Sequence, residues 1–296
     1  MSPQPWPAAH GRPLLGANGT EAMTLLLDQG GGDLVDYLKV GPFMGRPAIA
    51  ALADRHALLL HLDDTLSAHP PLDPPIMKAI ADWVALTGTP WASEHIAFDI
   101  AGIPIREALR PQPAGRALSR AQALENIVTN ARALAATLPV PLILENVPLY
   151  PNRAHLHVAA PDFVAEVLAR TGFGLLLDLA HARVTASLLG LDMHAYLEAL
   201  PLERVVELHL SGPRPVRSMA PERQAAVYEN AATIADVLPF GPESLVDVHE
   251  LMAEEDYALL AWTLERARPR AISLEYYRDA AALRVQLERL NAMLGR

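Results

Sequence analysis

The chain contains no cysteine and only two lysines, Lys39 and Lys78, among its 296 residues. Without thiols it has no disulfide, no cysteine-ligated zinc, no iron–sulfur cluster and no cysteine nucleophile. Acidic side chains (34) outnumber basic ones (24), and the formal net charge of −10 argues against broad binding to nucleic acid or to an anionic membrane. A hydrophobic share of 51% with 20% charged residues is typical of a globular protein.

Long apolar runs are also lacking, since none reaches the roughly 18 residues that a membrane span needs. The first residues contain no basic segment followed by an apolar stretch, so no secretory signal is expected, and we expect a cytoplasmic protein. The proline-rich segment 1–15 is predicted to be an extended N-terminal arm. Residues 16–296 are predicted to form one domain.

Short apolar runs typical of buried parallel strands recur eight times along the chain. They lie at 34–40, 57–62, 90–96, 141–147, 174–179, 205–210, 244–249 and 271–276. Segments with helical spacing follow, for example 119–138 after a Ser119–Gln122 capping signal and 161–170 after Pro161. The pattern predicts an α/β protein with a single (β/α)8 TIM barrel. A doubly wound open sheet is the alternative, but the count reaches eight and no linker divides the chain.

Metal-ligand residue types follow these strands, at the end where (β/α)8 barrels place their active sites. Asp247 and His249 are two residues apart and therefore point to the same side of one strand. Each residue alone is equally well explained by a hydrogen-bonded core role, or, for an acid, by capping the next helix. As a set they would be costly to bury without cations, which predicts a cluster of two or three ions. The nine residues are His61, His95, Glu145, Asp178, His181, His209, Asp247, His249 and Glu275.

Other polar residues near the strand ends are candidates for supporting roles. Glu207 shares a strand face with His209 and is either a partner of that ligand or a barrel-interior acid. The loop 97–118 is a candidate lid or substrate loop, and the pair Arg214 and Arg217 is a candidate for binding a peptide carboxylate or is simply solvated. Further candidate hydrogen-bond donors are Ser93, Asn146 and Ser211, whereas His155 and His157 are expected in a solvated loop.

Six motifs occur in order along the chain and together resemble the DUF692 family of MbnB-like, multinuclear non-haem iron-dependent oxidases. The resemblance runs from about His61 to Tyr276. These enzymes belong to the xylose-isomerase-like TIM barrels. A departure is S-G-P at Ser211–Pro213, where the family often continues A-G-H. The motifs are W-A-S-E-H-I, L-I-L-E-N-V, L-L-L-D-L-A-H-A, E-L-H-L-S-G, V-D-V-H-E and S-L-E-Y-Y.

The resemblance implies that the nine residues bind two or three iron ions, with mixed Fe(II)/Fe(III) states and O2 as cosubstrate. It implies an O2-dependent oxidoreductase that modifies cysteine residues of a ribosomally synthesised precursor peptide. Asp247, His249 and Glu145 are the expected catalytic residues, and no organic cofactor is expected. A small partner protein that presents the leader of the peptide is also expected, whereas nucleic acid and membrane are not.

Two alternatives remain open at this point. Endonuclease IV, a trinuclear zinc phosphodiesterase, has the same ligand types in the same order, so the constellation alone does not distinguish the two enzymes. A DNA-repair enzyme needs a basic groove, and the acidic balance of this chain favours the oxidase. The second alternative is a metal-binding, non-catalytic scaffold in peptide maturation.

Overall fold

The computed structural model describes residues 6, 11–62 and 66–296. Within them lie ten strands, which are Leu14–Asn18 (β1), Tyr37–Val40 (β2), Leu58–His61 (β3), Ala92–His95 (β4), Leu142–Glu145 (β5), Gly174–Asp178 (β6), Val205–Leu210 (β7), Gly212–Pro215 (β8), Leu245–Glu250 (β9) and Ala271–Leu274 (β10). The eleven helices of these residues are Glu21–Asp28 (α1), Arg46–Ala53 (α2), Pro74–Thr87 (α3), Ile105–Ala108 (α4), Arg120–Ala135 (α5), Pro161–Thr171 (α6), Leu179–Leu189 (α7), Met193–Glu198 (α8), Pro221–Ala232 (α9), Glu254–Arg266 (α10) and Ala280–Met293 (α11).

Eight of the strands close into a barrel in the order β1-β10-β7-β6-β5-β4-β3-β2. All neighbouring pairs in it are parallel, and helices connect the strands on the outside. The predicted TIM barrel is therefore confirmed. No helix in the part of the chain that the structure describes is long and apolar enough to cross a membrane.

Two strand assignments made from the sequence are wrong in detail. The segment 244–249 is not a barrel strand. As β9 it pairs antiparallel with β8 in a separate two-stranded sheet, called here the β8–β9 sheet. The eighth barrel position is filled instead by β1, whose first residues, Leu14 and Leu15, fall inside the predicted arm 1–15. The physical reason is burial, because five of the six residues of β9 are half-buried, whereas each barrel strand has at most one half-buried residue.

Most of the predicted arm lies outside the described residues, but Trp6 is described. Its ring lies 4.9 Å from that of Tyr37 and 5.4 Å from that of Trp91, measured between centroids. These two side chains belong to a buried cluster on the inward faces of the barrel strands. Trp6 thus packs against the floor of the barrel, at the end opposite the predicted site.

The floor is polar as well as aromatic. The Tyr37 hydroxyl lies 2.8 Å from Ser273 Oγ, and the Trp91 indole N–H donates to Glu207 Oε2 at 2.9 Å. A Cβ atom at Gly16 would overlap the Tyr37 ring, so β1 needs glycine there for the ring to enter the barrel. The floor is therefore a packed, hydrogen-bonded layer that fixes the strands whose other ends carry the site.

The predicted starts of α5 and α6 are confirmed. Ser119 Oγ accepts from the Gln122 N–H at 3.3 Å and the Gln122 side chain accepts from the Ser119 N–H at 3.1 Å, which is a complete capping box for α5. Pro161 occupies the first turn of α6, where a missing N–H costs nothing. Boundaries shift by a few residues, since the structure ends α5 at Ala135 and the spacing predicts a helix to 138.

Candidate metal centre

All nine predicted ligands lie at the carboxyl-terminal end of the barrel. Four of them are the last residues of β3, β4, β5 and β6, and parallel pairing sets His95 beside Glu145 and Asp178 beside His209. Asp247 and His249 reach the same end of the barrel from the β8–β9 sheet, which lies outside the barrel wall. The remaining positions are His181 in the first turn of α7 and Glu275 directly after β10.

Glu145 lies at the middle of the group and faces four imidazoles. Its Oε2 is 3.3 Å from both His61 Nε2 and His95 Nε2, and its Oε1 is 3.2 Å from His209 Nδ1 and 3.5 Å from His181 Nδ1. Each oxygen therefore points to a different pair of nitrogens. A carboxylate arranged in this way is suited to bridge two cations.

Two sets of three residues place a ligand atom each within 4.8 Å of one another. The first set is His61, His95 and Glu145, and the second is Glu145, Asp178 and His209. Nitrogen and oxygen donors without sulfur suit zinc or non-haem iron. Two ions that share Glu145 fit the residues present.

Asp178 combines a structural role with a free oxygen. Its Oδ1 caps α7 by accepting from the His181 N–H at 2.7 Å, so the helix-capping explanation is correct for one of its oxygens. Among the described residues, Asp178 Oδ2 and Glu145 Oε2 are buried without a hydrogen bond. Burial raises the pKa of Asp178 to about 7, against the opposing effect of His181. Buried carboxylate oxygens of this kind are costly unless a cation approaches them.

The imidazoles differ in protonation. Burial, helped by the Lys39 ammonium, holds the pKa of His61 well below its ordinary value, so this ring is neutral and ready to coordinate. Burial also acts on His209, but Glu275 and Glu145 outweigh it and raise its pKa to about 10. Binding of an ion to His209 must therefore displace a proton.

Asp247 and His249, from the β8–β9 sheet, form a third part of the site, with longer distances between its side chains. Asp247 Oδ2 lies 3.5 Å from His181 Nε2 and 3.5 Å from His249 Nδ1, and His249 Nε2 lies 3.1 Å from Glu275 Oε2. His249 has φ of 49°, a left-handed conformation that a non-glycine residue rarely adopts. Strain of this kind is typical of residues whose side chain is held for a function.

The candidate supporting residues contact the ligands, although Asn146 meets His181 as an acceptor, through its backbone carbonyl, and not as the predicted donor. Ser93 Oγ lies 2.9 Å from His61 Nδ1, Ser211 Oγ donates to Asp247 Oδ1 at 3.3 Å, and the Asn146 carbonyl lies 2.8 Å from His181 Nδ1. Such partners fix the orientation of a ligating side chain. Arg214 and Arg217 do not face the site: Arg214 donates to the Leu251 carbonyl and Arg217 pairs with Glu243.

Glu207 holds His209 from below. Its Oε1 lies 3.0 Å from His209 Nε2, so it accepts the proton of that nitrogen and leaves Nδ1 directed at Glu145. The same Oε1 accepts from Ser273 Oγ at 3.0 Å, and Oε2 accepts from Trp91. Glu207 is completely buried. It therefore acts on the site by orienting His209.

Lys39 is a site residue that the spacing of His, Asp and Glu does not reveal. It lies on β2, its side chain is buried, and its ammonium group is ion-paired with Glu275 Oε1. Burial alone would lower its pKa, but Glu275 and then Glu145 raise it above the ordinary value. The only sequence signal is a charged residue within an apolar strand.

A cavity of about 640 Å³ opens above the ligands. Phe98 and Leu109, from the predicted substrate loop 97–118, form part of its wall. His155 also lines it and is buried, so the expectation of a solvated loop is wrong for this residue. Burial lowers the pKa of His155 to about 3, which keeps the ring neutral.

Residues 37–294 match the profile of a family described as "RiPP precursor modification enzyme MbnB/TglH/ChrH". The chain belongs to this family. The resemblance to DUF692 is thereby confirmed, and the family is one of enzymes that act on ribosomally synthesised precursor peptides.

Related proteins from bacteria match over most of their length. A "UPF0276 protein" of Caulobacter vibrioides is 29% identical over 258 residues, which cover 79% of this chain and 88% of the relative. Another protein of the same description, from Bordetella bronchiseptica, is 30% identical over 262 residues, which cover 85% and 81%. These names carry no activity.

Solved structures with similar folds include an AP endonuclease of family 2 from Brucella melitensis, with a TM-score of 0.54 at 14% identity over 93% of this chain and 96% of the other. A D-psicose 3-epimerase from Clostridium cellulolyticum H10 has a TM-score of 0.52 at 11% identity over 95% and 99%. At these identities the likeness shows the TIM-barrel fold alone.

Proposed function

We propose that this protein is a multinuclear non-haem iron-dependent oxidase that uses O2 to modify cysteine residues of a ribosomally synthesised precursor peptide. The observation that carries the proposal is the Glu145-centred pair of nitrogen- and oxygen-ligand sets below a cavity, in a chain of the precursor-modifying family. The nine predicted residues are the proposed ligand set for the ions.

The protein's own residues would first hold the ions and then the substrate. His61, His95 and Glu145 would bind one ion, and Glu145 with Asp178 and His209 a second. The other four proposed ligands would complete the coordination of these ions or hold a third, and they are His181, Asp247, His249 and Glu275. When bound, iron supplies Lewis acidity toward a thiolate and electrons for O2. Because the chain has no cysteine, no thiol of its own competes with that of the substrate.

Asp247 and His249 are proposed to act on the substrate. Asp247 lines the cavity and its Oδ2 lies between two imidazole nitrogens. Burial opposes its ionisation, but His249 and His181 hold the pKa of Asp247 below its ordinary value, so the group is a carboxylate. It is therefore placed to accept the thiol proton of an entering cysteine, and His249 to orient it.

The cavity walls suit an apolar peptide segment. Phe43, Phe98, Val147 and Val248 contribute apolar surface that keeps water from the ligands, and Arg223 offers an exposed cation at the rim. A small partner protein that presents the leader remains part of the proposal. A phosphodiesterase would use the same ligand types, but its DNA would meet a chain with a net charge of −10.

The test is to reconstitute the protein with iron and to incubate it, in air and without O2, with short cysteine-containing peptides sought among the products of neighbouring genes, each with and without a small protein encoded next to it. We expect an O2-dependent change in the mass of the peptide and no nicking of abasic duplex DNA. Glu145→Gln should be inactive, and Lys78→Met, on an exposed helix face, is the matched active control. Nicking of the duplex without a change in the peptide would establish the phosphodiesterase instead, and neither reaction with bound metal would favour the scaffold.

A further inference from the structure

His155 is a buried side chain of the cavity wall that the proposed chemistry does not use. It lies in the segment between β5 and α6, it is 2% exposed, and it lines the cavity. Phe98 and Tyr150 also line the cavity, and their rings contact the imidazole edge-on, at 5.2 Å and 5.9 Å between centroids. Packing between two rings restricts the orientation of the imidazole.

A hydrogen bond to Asn152 determines which nitrogen of His155 carries the proton. Asn152 Nδ2 donates to the carbonyl oxygens of Ala108 and Arg110, at 2.6 Å and 2.9 Å, so a reversed amide would place its oxygen against two carbonyls. Asn152 Oδ1 therefore faces His155 Nδ1, at 3.1 Å, and also accepts from the Ala154 N–H at 2.9 Å. Because an amide oxygen only accepts, the proton is on Nδ1 and Nε2 carries a lone pair.

His155 Nε2 is an acceptor without a partner. No hydrogen bond or ion pair reaches it from the part of the chain that the structure describes, and neither three-residue ligand set includes His155. It is not one of the enclosed unpaired atoms, so it is open to the cavity. Burial, followed by His95 and His181, lowers the pKa of His155 to about 3. The nitrogen can therefore accept a hydrogen bond at neutral pH but cannot take the proton as a base.

A peptide segment that enters this cavity needs acceptors for its backbone N–H groups. An amide N–H that leaves water without finding a new acceptor is unfavourable. Phe98, Leu109 and Val147 line the cavity and their side chains offer no acceptor. Because His95 and His181 act on His155 electrostatically, its ring lies close to two proposed ion ligands. The lone pair of Nε2 is thus available near the place where a substrate cysteine would bind.

We propose that His155 Nε2 accepts a hydrogen bond from a backbone N–H of the precursor peptide, at the substrate cysteine or at the residue after it. This contact would set the register of the peptide over the metal centre. The inference rests on the proposed function and adds a substrate contact to it. Asn152 is a positioning residue, because it fixes the tautomer of His155 and also holds the loop 97–118, whose Leu109 forms part of the wall.

The test uses N-acetylcysteine N-methylamide, a thiol with a peptide group on either side, and two analogues in which one or the other N–H is replaced by an ester oxygen. Binding to the Co²⁺-loaded protein is followed through the absorption of the cobalt–thiolate bond. His155→Phe keeps the ring packing and removes the lone pair. It should weaken binding of the amide probe about twofold to twelvefold, the effect of one net hydrogen bond. One ester analogue should bind the unaltered protein more weakly by the same factor, and His155→Phe should not weaken it further.

Two further variants serve as controls, and all variants should bind as much cobalt as the unaltered protein. His157→Phe changes a half-buried histidine of the same segment that does not line the cavity, and it should bind all three probes normally. His155→Gln keeps an acceptor near the position of Nε2 and should bind the amide probe more tightly than His155→Phe does.

Unchanged affinity for the amide probe in His155→Phe would overturn the inference. An equal loss for all three probes would indicate a structural role and would also overturn it, as would a lower cobalt content. Absence of cobalt–thiolate absorption with every probe in the unaltered protein would reject the proposed function itself, because a centre that modifies cysteine must bind this thiol.

A measurement on the unaltered protein carries the test if His155→Phe does not fold, as judged by circular dichroism. It uses the nitrogen-15 NMR spectrum of zinc-loaded protein labelled at histidine, in which the Nε2 signal of His155 is assigned by its absence in His155→Gln. This signal should move further with the amide probe and one ester analogue than with the other analogue. The same shift with all three probes would overturn the inference.

Discussion

Replacement of Glu207 by glutamine should weaken one ion site and spare the other. Glu207 Oε1 receives the His209 and Ser273 protons, and Oε2 receives that of Trp91. An amide has one acceptor oxygen, so its NH2 group must face either Trp91 or His209. If it faces His209, the imidazole proton moves to Nδ1, the atom directed at Glu145.

The magnitude follows from these contacts. Loss of the hydrogen-bond partner of a ligating histidine typically costs tenfold to a hundredfold in metal affinity, which is about 1.4–2.8 kcal/mol. Leaving the Trp91 donor unpaired costs about 1–3 kcal/mol of folding stability. Trp91→Phe is the matched control, because it removes the contact to Oε2 and leaves that of His209 to Oε1 intact.

The assay is competition for Co²⁺ between the metal-free protein and a chelator, with urea unfolding measured in parallel. Glu207→Gln should lower the affinity of one ion, and the ion held by His61 and His95 should stay unchanged. Trp91→Phe should lower stability but not affinity. Equal affinity in Glu207→Gln and the unaltered protein, or equal losses at both ions, would refute the orienting role of Glu207.

Three further predictions concern other parts of the molecule. Asp247→Ala removes a proposed ligand that is also the proposed base, so it should lower the zinc content and lower turnover of the peptide by about 10²–10⁴-fold, the range for a lost general base, while the barrel stays folded; full zinc content with full turnover would contradict this. Burial raises the pKa of Asp99 to about 7, so the folded state keeps a proton that the unfolded chain loses above about pH 4, and stability falls between these values. Asp99→Asn can still accept from the His157 N–H, and it should remove this pH-dependent loss of stability. The gain in the free energy of unfolding should be at most about 4 kcal/mol at pH 8 and nothing below pH 4, measured by urea unfolding of the metal-free protein. Ser119→Ala should cost about 1 kcal/mol through the lost cap of α5, measured in the same way at any pH.

The barrel could be predicted because its strands are continuous apolar runs separated by helices. The sequence of β9 does not distinguish it from a barrel strand. Val246 and Val248 alternate with Asp247 and His249, but in the parallel strand β7 Leu208 and Leu210 alternate with Glu207 and His209 in the same way. Strand β1 is missed because it directly follows the proline-rich segment and its five residues include Gly16.

The site was predictable where function imposes a residue type at a strand end. Glu145 and Asp178 are such cases, since an acid is rare at the end of a buried strand. The pairing of Lys39 with Glu275 was not predictable, because 236 residues separate them and only closure of the barrel brings β2 and β10 to either side of β1. The position of a residue along one strand does not reveal which side chain it contacts across the barrel.

The β8–β9 sheet has a small hydrophobic cluster, in which Val216, Val227 and Val246 are buried. Phe240 packs against both this cluster and the main one, and Leu245 at the start of β9 packs against the main one. Because most residues of β9 are only half-buried, we expect this sheet to open locally more often than the barrel strands. Asp247 and His249 would leave with it, and backbone amides of β9 should exchange with solvent faster than those of β5. Such local opening would give a peptide or an ion access to the ligands without any expansion of the barrel.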